Sequence, residues 1–187
     1  MRGIKRCSWV NMKNPVYIDY HDNEWGIAQH DDRRLYELLI LESFQAGLSW
    51  ECILNKRNNF RAAFDNFDIN LVCGYDGEKI SRLLKDSGII RNRLKINAAV
   101  GNSFIFREIQ KQFGSFDRYI WSFTNFRTIY RDFNIESHSS LSDKISEDLK
   151  KRGMKFVGST IIYSYLQAIG IINAHSNDCF LHADCKL

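Results

Sequence analysis

Apolar residues recur at intervals of three and four along most of the chain, whereas few segments alternate with a period of two. This spacing places the apolar side chains of each segment on one face of a helix. It predicts helices from residue 33 through Phe44 to a terminator at Gly47, and over residues 50–64, 77–87, 91–112, 116–123, 142–152 and 158–168. Asp31 and Asp32 are candidate N-caps of the first helix, and Ser49 of the second. We therefore expect an all-α fold.

The two ends of the chain lack this periodicity. The first 28 residues and the tail after Gly170 are predicted to be irregular, and such ends fray unless something ties them down. In the long helix over residues 91–112, the spacing predicts that Ile96, Val100, Phe104 and Ile105 face the core.

Composition limits the class of protein. A chain of 187 residues with 44% hydrophobic and 26% charged residues predicts a single domain over residues 1–187. One proline and eleven glycines argue against a turn-rich β-sandwich. No apolar stretch is long enough to cross a bilayer, and the basic first residues are not followed by the apolar segment of a signal peptide. We expect a cytoplasmic monomer without a membrane partner.

Charge and cysteine content indicate the redox compartment and the kind of partner. Five cysteines, an odd number, favour a reducing compartment in which thiols are free or bound to a metal. A net charge of +4 with a pI near 8.8 is compatible with an anionic partner such as nucleic acid.

The segment from Tyr17 to Gly26 contains two tyrosines, a tryptophan, a histidine and several acids. It is too aromatic for a solvent loop and too polar for an ordinary core. Flat rings can sandwich a planar ligand, and His21 can bind a metal together with a cysteine elsewhere in the chain.

Metal-ligand residues occur at both ends of the chain. Cys7 and His21 lie near the N-terminus, and His175 precedes Cys179 by four residues near the C-terminus, a spacing at which both can reach one ion. Two cysteines with two histidines make a closed tetrahedral shell suited to structural zinc. The alternative is free thiols and surface histidines. His182 or Cys185 could also replace a member of the set.

Glu42 is predicted to point into the core. It follows Leu35, Leu38 and Leu39 at helical spacing, so all four share one face. The opposite, polar face carries Arg33, Arg34 and Glu37. A buried carboxylate is costly unless it is paired. Glu42 is therefore either a core acid that caps backbone or pairs with an arginine, or an acid that recognises a ligand.

The segment from Gln45 to Trp50 is predicted to form a turn between two helices. Leu48 would be unusually exposed there, and it could act as a wedge pushed into a stack of bases. Trp50 lies close enough to Glu42 to wall the same pocket. The alternatives are a leucine packed on a neighbouring loop and a tryptophan of the ordinary core.

The segment over residues 148–160 joins two predicted helices and is strongly basic. Gly158, Ser159 and Thr160 open the second helix, where unpaired backbone N–H groups suit a phosphate oxygen. Lys155 and its basic neighbours add attraction to DNA that does not depend on base sequence. The segment resembles a helix-hairpin-helix element; the alternative is a solvated basic helix end.

Taken together, the chain resembles the DNA-3-methyladenine glycosylase I family of the helix-hairpin-helix superfamily. The resemblance is carried by the strings at residues 6–9, 20–26, 45–50, 88–91 and 155–158 and by the His175–Cys179 pair. It implies an all-α helix-hairpin-helix fold with a zinc clip joining the termini. It also implies an enzyme that removes 3-methyladenine from alkylated double-stranded DNA, in base excision repair, without cutting the strand.

The resemblance also implies roles for individual residues. The structural zinc ligands match Cys7, His21, His175 and Cys179, rather than His182 or Cys185. The pocket acid matches Glu42, its aromatic walls match Tyr17, Tyr20, Trp25 and Trp50, with Trp9 as a further candidate, and the intercalating turn matches Gly47 and Leu48. Asp178, which lies twenty residues after the hairpin glycine, is interpreted as incidental. The rival functions are a DNA-binding module that does not cut and a zinc hydrolase.

Overall fold

The computed structural model describes residues 4–131 and 136–182. Within them the chain is mostly helical. The helices are α1 (Pro15–Asn23), α2 (Asp32–Gln45), α3 (Trp50–Asn55), α4 (Arg57–Ala63), a 3-10 turn (Asp65–Phe67), α5 (Ile69–Cys73), α6 (Gly77–Lys85), α7 (Arg93–Phe113), α8 (Phe116–Ser122), α9 (Ser140–Lys151) and α10 (Ser159–Ala168). None of these helices is both long enough and apolar enough to cross a membrane.

Short polar side chains set the start of most helices. Asp31 caps α2 by accepting from the Arg34 N–H, and Ser49 caps α3 by accepting from the Cys52 N–H. These caps satisfy backbone donors that have no partner inside the helix. The predicted starts of α2 and α3 are thereby confirmed.

Helix α2 is the centre of the fold, since it packs against α3, α7, α8 and α10. Its residues 35–44 are all buried. A helix that is buried on all sides has no free polar face, so each polar group on it needs a partner or a function. Glu37 and Glu42 both lie in this buried stretch of α2, so this requirement applies to both.

The prediction for the first 28 residues was wrong, whereas the described part of the tail after Gly170 is irregular apart from one two-residue strand. Residues 15–23 form α1, which Asn14 caps and Pro15 opens, a combination that favours a helix start. After Gly170, strand β2 (Ile172–Asn173) pairs in parallel with β1 (Ile129–Tyr130). The ends are therefore packed into the core, and the fold is mostly helical rather than purely so.

Three finer predictions also need correction. The helix expected over residues 50–64 is divided at Lys56 into α3 and α4. Helix α9 begins at Ser140, with Ser139 rather than a later serine as its N-cap. Phe104 is 44% exposed instead of buried, because α7 is covered on one side only.

Candidate active site and metal centre

A cavity of about 270 Å³ lies between α1, α2, α3 and α10. Its lining is mainly aromatic and brings together all of the predicted pocket residues, namely Trp9, Tyr17, Tyr20, Trp25, Glu42 and Trp50. We call it the aromatic cavity. It is open on one side, and its size and flat walls suit a planar ligand.

The rings meet at angles that leave a slot rather than a closed stack. The Trp9 ring contacts those of Tyr17 and Trp25 at centroid distances of 5.4 and 4.9 Å. On the other side, Tyr20 and Trp50 are 5.3 Å apart. The indole N–H groups of Trp9 and Trp50 are buried and have no hydrogen-bond partner among the described residues. The walls therefore hold two unused donors.

Glu42 points into the aromatic cavity and is only 4% exposed. No described residue donates a hydrogen bond to its carboxylate or forms an ion pair with it, so the arginine-paired alternative does not hold. Burial without a partner raises the pKa of Glu42 to about 8. An acid kept unpaired in an aromatic slot is typical of a ligand-binding site.

Sequence reasoning missed three polar residues of this cavity. Gln45 lies one turn after Glu42 on α2, and Ser164 and Gln167 lie on α10. The last two are the polar residues of the otherwise apolar segment 161–168, and they are three apart. That spacing places them on one face of the helix, which was the signal available in the sequence.

Glu37 was wrongly assigned to the exposed face of α2. It is 3% exposed and accepts from Arg57 at 2.6 Å and from Arg61 and Arg34 at 2.9 Å each. Arg57 and Arg34 also donate to Glu24, beside Trp25. These ion pairs hold the pKa of Glu37 below its ordinary value despite burial. They tie the segment carrying Trp25 to α2 and α4.

The four predicted metal ligands form one buried cluster. The donor atoms of Cys7, His21, His175 and Cys179 all lie within 4.8 Å of one another. Cys7 Sγ is 3.5 Å from His175 Nδ1, and Cys179 Sγ is 3.5 Å from His21 Nε2. Bonds of about 2.0–2.3 Å in a tetrahedral zinc site place neighbouring donors roughly 3.3–3.8 Å apart. The geometry of these four residues, which we call the metal cluster, therefore fits a zinc ion.

Surrounding groups orient the two histidine side chains. His21 Nδ1 lies 2.8 Å from Asp22 Oδ1, and Arg6 binds the same carboxylate through two nitrogens. His175 Nε2 lies 3.2 Å from the Trp25 carbonyl oxygen. Such outer partners leave the second ring nitrogen of each histidine facing the metal position. Burial raises the pKa of the Cys7 thiol, but hydrogen bonds with His175 and His21 lower it overall, to about 5.

Of the two alternative ligands, only His182 belongs to the described part of the chain. Among the described residues, His182 is not one of the grouped ligands, and Cys185 lies outside the described residues. Asp178 forms an ion pair with Lys5 on the surface. The metal cluster also contacts the aromatic cavity, because the His21 ring is 5.2 Å from Trp9 and the His175 ring is 4.7 Å from Trp25.

The loop over residues 46–49, here the wedge loop, joins α2 to α3. Gly47 has a φ of +80°, which favours glycine, and Leu48 is 38% exposed. The Gln45 side chain donates to the Leu48 carbonyl oxygen at 2.8 Å. The loop is thus fixed in shape beside the aromatic cavity, with an apolar side chain at its tip.

The turn over residues 152–158, here the hairpin, joins α9 to α10. The N-cap of α10 is Gly158, which has no side chain, so the first backbone N–H groups of the helix receive no side-chain cap. Thr160, in the first turn, is exposed. Lys155 is exposed as well. The Ser159 hydroxyl contacts Ser142 and Asp143, so it is engaged within the protein. The hairpin therefore offers backbone donors and a lysine to an anion.

The helical fold and the aromatic cavity with its unpaired acid define a protein with a binding site for a planar ligand. The family model described as methyladenine glycosylase matches residues 9–182. The chain is 43% identical to the DNA-3-methyladenine glycosylase 1 of Escherichia coli (strain K12), over 94% of this chain and 96% of the relative. The chain belongs to the methyladenine glycosylase family.

Solved structures agree with this assignment. A crystal structure of a 3-methyladenine DNA glycosylase I has a TM-score of 0.91 and 42% identity, over 95% of this chain and 100% of that one. A tyrosine-to-phenylalanine variant of such an enzyme, solved in complex with 3-methyladenine, has a TM-score of 0.87 and 34% identity, over 90% of this chain and 92% of that one.

Proposed function

We propose that the protein is a monofunctional DNA glycosylase that hydrolyses the N-glycosidic bond of 3-methyladenine in alkylated DNA, in base excision repair. The observation that carries the proposal is Glu42, which is buried and unpaired in a slot of aromatic rings. The relatives named for this activity support it across nearly the whole chain.

The aromatic cavity would select the base by charge as well as by shape. A nucleotide alkylated at the adenine ring is cationic, and a cation is attracted to the faces of tryptophan and tyrosine rings beyond ordinary stacking. Glu42 would accept hydrogen bonds from the amine edge of the base. In the free protein, burial favours the neutral acid. A cationic base beside it would favour the carboxylate, so charge complementarity forms only with the damaged base.

Bond cleavage would need little acid catalysis. The cationic base is already a good leaving group, so its departure does not require a proton from the protein. The cavity would hold the base in a rotated, desolvated position while water attacks C1′ of the sugar. The electron pair of the glycosidic bond leaves with the base, which becomes neutral, and the water loses one proton to solvent. The Glu42 carboxylate would stabilise the positive charge that remains on the sugar as the bond breaks.

Extrusion of the base would use the wedge loop and the hairpin. The open N–H groups at the start of α10 and the Lys155 ammonium would bind a phosphate, as in a helix-hairpin-helix element. Leu48 would fill the gap left in the base stack, while the nucleotide swings into the aromatic cavity. Gly47 permits the turn that places Leu48 at the tip.

We propose that the metal cluster holds a structural zinc ion, which would join the two ends of the chain as a clip. Cys7, His21, His175 and Cys179 supply four donors, so a tetrahedral ion would have no open position for water or substrate. Bound zinc would supply folding energy there and no chemistry. The closed shell also argues against the zinc hydrolase alternative.

The function is tested by incubating the protein with methylated duplex DNA and measuring released bases. We expect free 3-methyladenine and intact strands carrying abasic sites. Binding without release would instead support the alternative of a DNA-binding module that does not cut. Release accompanied by strand cleavage would contradict the monofunctional assignment.

Replacing Leu48 with alanine is expected to lower the single-turnover excision rate from duplex DNA by roughly tenfold, because the gap in the stack is no longer filled. Excision from a mispaired lesion should fall less, since that base unstacks more easily. Leu71→Ala is the control, because Leu71 is an exposed leucine on α5. Equal rates for the Leu48 and Leu71 variants would contradict the wedge role.

A further inference from the structure

The segment that leads into α7, together with most of α7 itself, carries positive charges without acidic residues. Between Asp86 and Glu108 the sequence has no acidic residue, but it has Arg91, Arg93, Lys95 and Arg107. Arg91 and Arg93 are exposed and form no ion pair or hydrogen bond through their side chains with any described residue. Many other arginines of the described segments are paired with acids, as Arg57 is with Glu37. The two guanidinium groups are therefore left without an acidic partner among the described residues.

The first turn of α7 lies directly against the wedge loop. Lys95 is buried and donates to the carbonyl oxygens of Phe44 at 2.8 Å and Ala46 at 2.6 Å. These carbonyls lie at the end of α2, immediately before Gly47, where a cation is favoured by the helix dipole. Lys95 thus fixes the position of Arg91 and Arg93 relative to Leu48.

On its other side, the start of α7 faces the hairpin across a groove of about 290 Å³. Leu94 and Gly101 of α7 line this groove together with Lys155 and Phe156. Asn102 accepts from the Lys155 N–H and donates to the Lys155 carbonyl oxygen, both at 2.9 Å. The hairpin is therefore held on α7 at a fixed distance from the arginine pair. Leu94 is 70% exposed at the rim of the groove.

We propose that residues 91–94, which lead into the first turn of α7, form a DNA-binding element, in which Arg91 and Arg93 contact phosphates of the duplex and Leu94 rests on the adjoining sugars. It lies next to both the wedge loop and the hairpin, so a backbone bound at the hairpin continues past it. Guanidinium groups without an acidic partner suit phosphate, because they donate two parallel hydrogen bonds. The element holds the duplex while a base is extruded. The inference rests on the proposed function only in that the partner is DNA.

The test measures affinity for an undamaged duplex as a function of salt concentration, which counts phosphate contacts separately from base recognition. The affinity falls as salt rises, so the slope of log K against log salt is negative. Each of Arg91→Gln and Arg93→Gln is expected to reduce the magnitude of this slope by about 1, and the double variant by about 2. The excision rate at saturating protein should stay within about twofold of wild type, because the aromatic cavity is untouched.

Arg118→Gln is the matched control. Arg118 is also exposed and makes no side-chain ion pair, but it lies beside Gly114 at the opposite end of α7. A helix of 21 residues separates the two places by about 30 Å. The control should keep the wild-type slope. A double variant whose slope equals that of the control would overturn the inference.

The two proposals fail separately. Slopes that change as expected in a protein that releases no 3-methyladenine would refute the proposed function and support the DNA-binding element. Normal base release with unchanged slopes in the folded double variant would refute the element alone.

Discussion

Replacing Glu42 with glutamine is expected to lower the single-turnover rate of 3-methyladenine release by about a hundredfold or more, while affinity for undamaged DNA stays within about twofold. The substitution keeps the shape of the side chain but removes the negative charge that faces the cationic base and sugar. In the proposed binding mode, undamaged DNA would be held at the surface, away from the aromatic cavity, so its affinity should not depend on Glu42.

Glu108→Gln is the control for this experiment, since Glu108 is an exposed glutamate on α7 paired only with Lys111. It should leave both quantities unchanged. An equal loss of excision and of DNA affinity in the Glu42 variant, or no loss of either, would refute the assigned role.

The same substitution is expected to stabilise the free protein at alkaline pH. Because burial raises the pKa of Glu42 to about 8, the folded state retains a proton that the unfolded chain releases near pH 4.5. The stability contributed by Glu42 is therefore present below pH 4.5 and is lost as pH rises toward 8. Removing this ionisation should raise the free energy of unfolding above pH 8 by up to a few kcal/mol, since each pKa unit corresponds to about 1.4 kcal/mol.

Urea unfolding of wild type and Glu42→Gln at pH 5 and pH 9 checks this. The stability difference between the two proteins should be larger at pH 9 than at pH 5. A difference that does not change with pH would show that the carboxyl group ionises normally in the folded state. Enhanced stability with lost excision would identify Glu42 as an acid kept at a cost in stability for its function.

Removing the proposed zinc ion, or one of the four residues that would bind it, is expected to have the second large effect. Chelation, or Cys179→Ser, should lower the free energy of unfolding by several kcal/mol, because a structural zinc site contributes its binding energy to folding. Cys179 is buried and links the C-terminal segment to Cys7 and His21 near the N-terminus. The measurement is the melting temperature, together with the metal content per chain.

Cys52→Ser is the matched control, because Cys52 is a half-buried thiol outside the metal cluster. It should change neither metal content nor melting temperature appreciably. Well below its melting temperature, the Cys179 variant should still excise. Loss of excision in a fully folded protein would show that the metal takes part in the reaction.

Cobalt substitution separates a structural metal from a catalytic one by a spectroscopic signal. Two thiolates and two imidazoles should give Co²⁺ the absorption of a tetrahedral, sulfur-ligated ion, and the excision rate should match that of the zinc form. A changed pH profile of excision in the cobalt form would contradict a purely structural role.

Local chemistry explains why several features were predictable. Asp31 and Ser49 begin helices because their side chains bond to nearby backbone N–H groups, an effect confined to a few residues. The inward direction of Glu42 followed from its spacing to Leu35, Leu38 and Leu39, which the structure buries as expected. Helix α1 was missed although Asn14 and Pro15 signalled its start, because its mixture of aromatic and polar residues obscured the helical period.

Other features depend on distant partners. Glu37 has the spacing of an exposed residue, but Arg57 and Arg61 from α4 make its burial possible. Strand β1 exists only because β2, more than forty residues later, pairs with it. Ser164 and Gln167 enter the aromatic cavity because α10 packs against α2. No local pattern specifies such contacts.

The sequence by itself determined the mostly helical class and the starts of α2 and α3, because each depends on residue type and short-range spacing. Only the tertiary structure decided that Glu42 has no partner among the described residues and that rings from α1, α3 and the N-terminal segment surround it. It also decided that Lys95 joins the start of α7 to the wedge loop. Those arrangements arise from packing between helices far apart in the chain, where the cost of burying a charge depends on every neighbour that the fold brings near it.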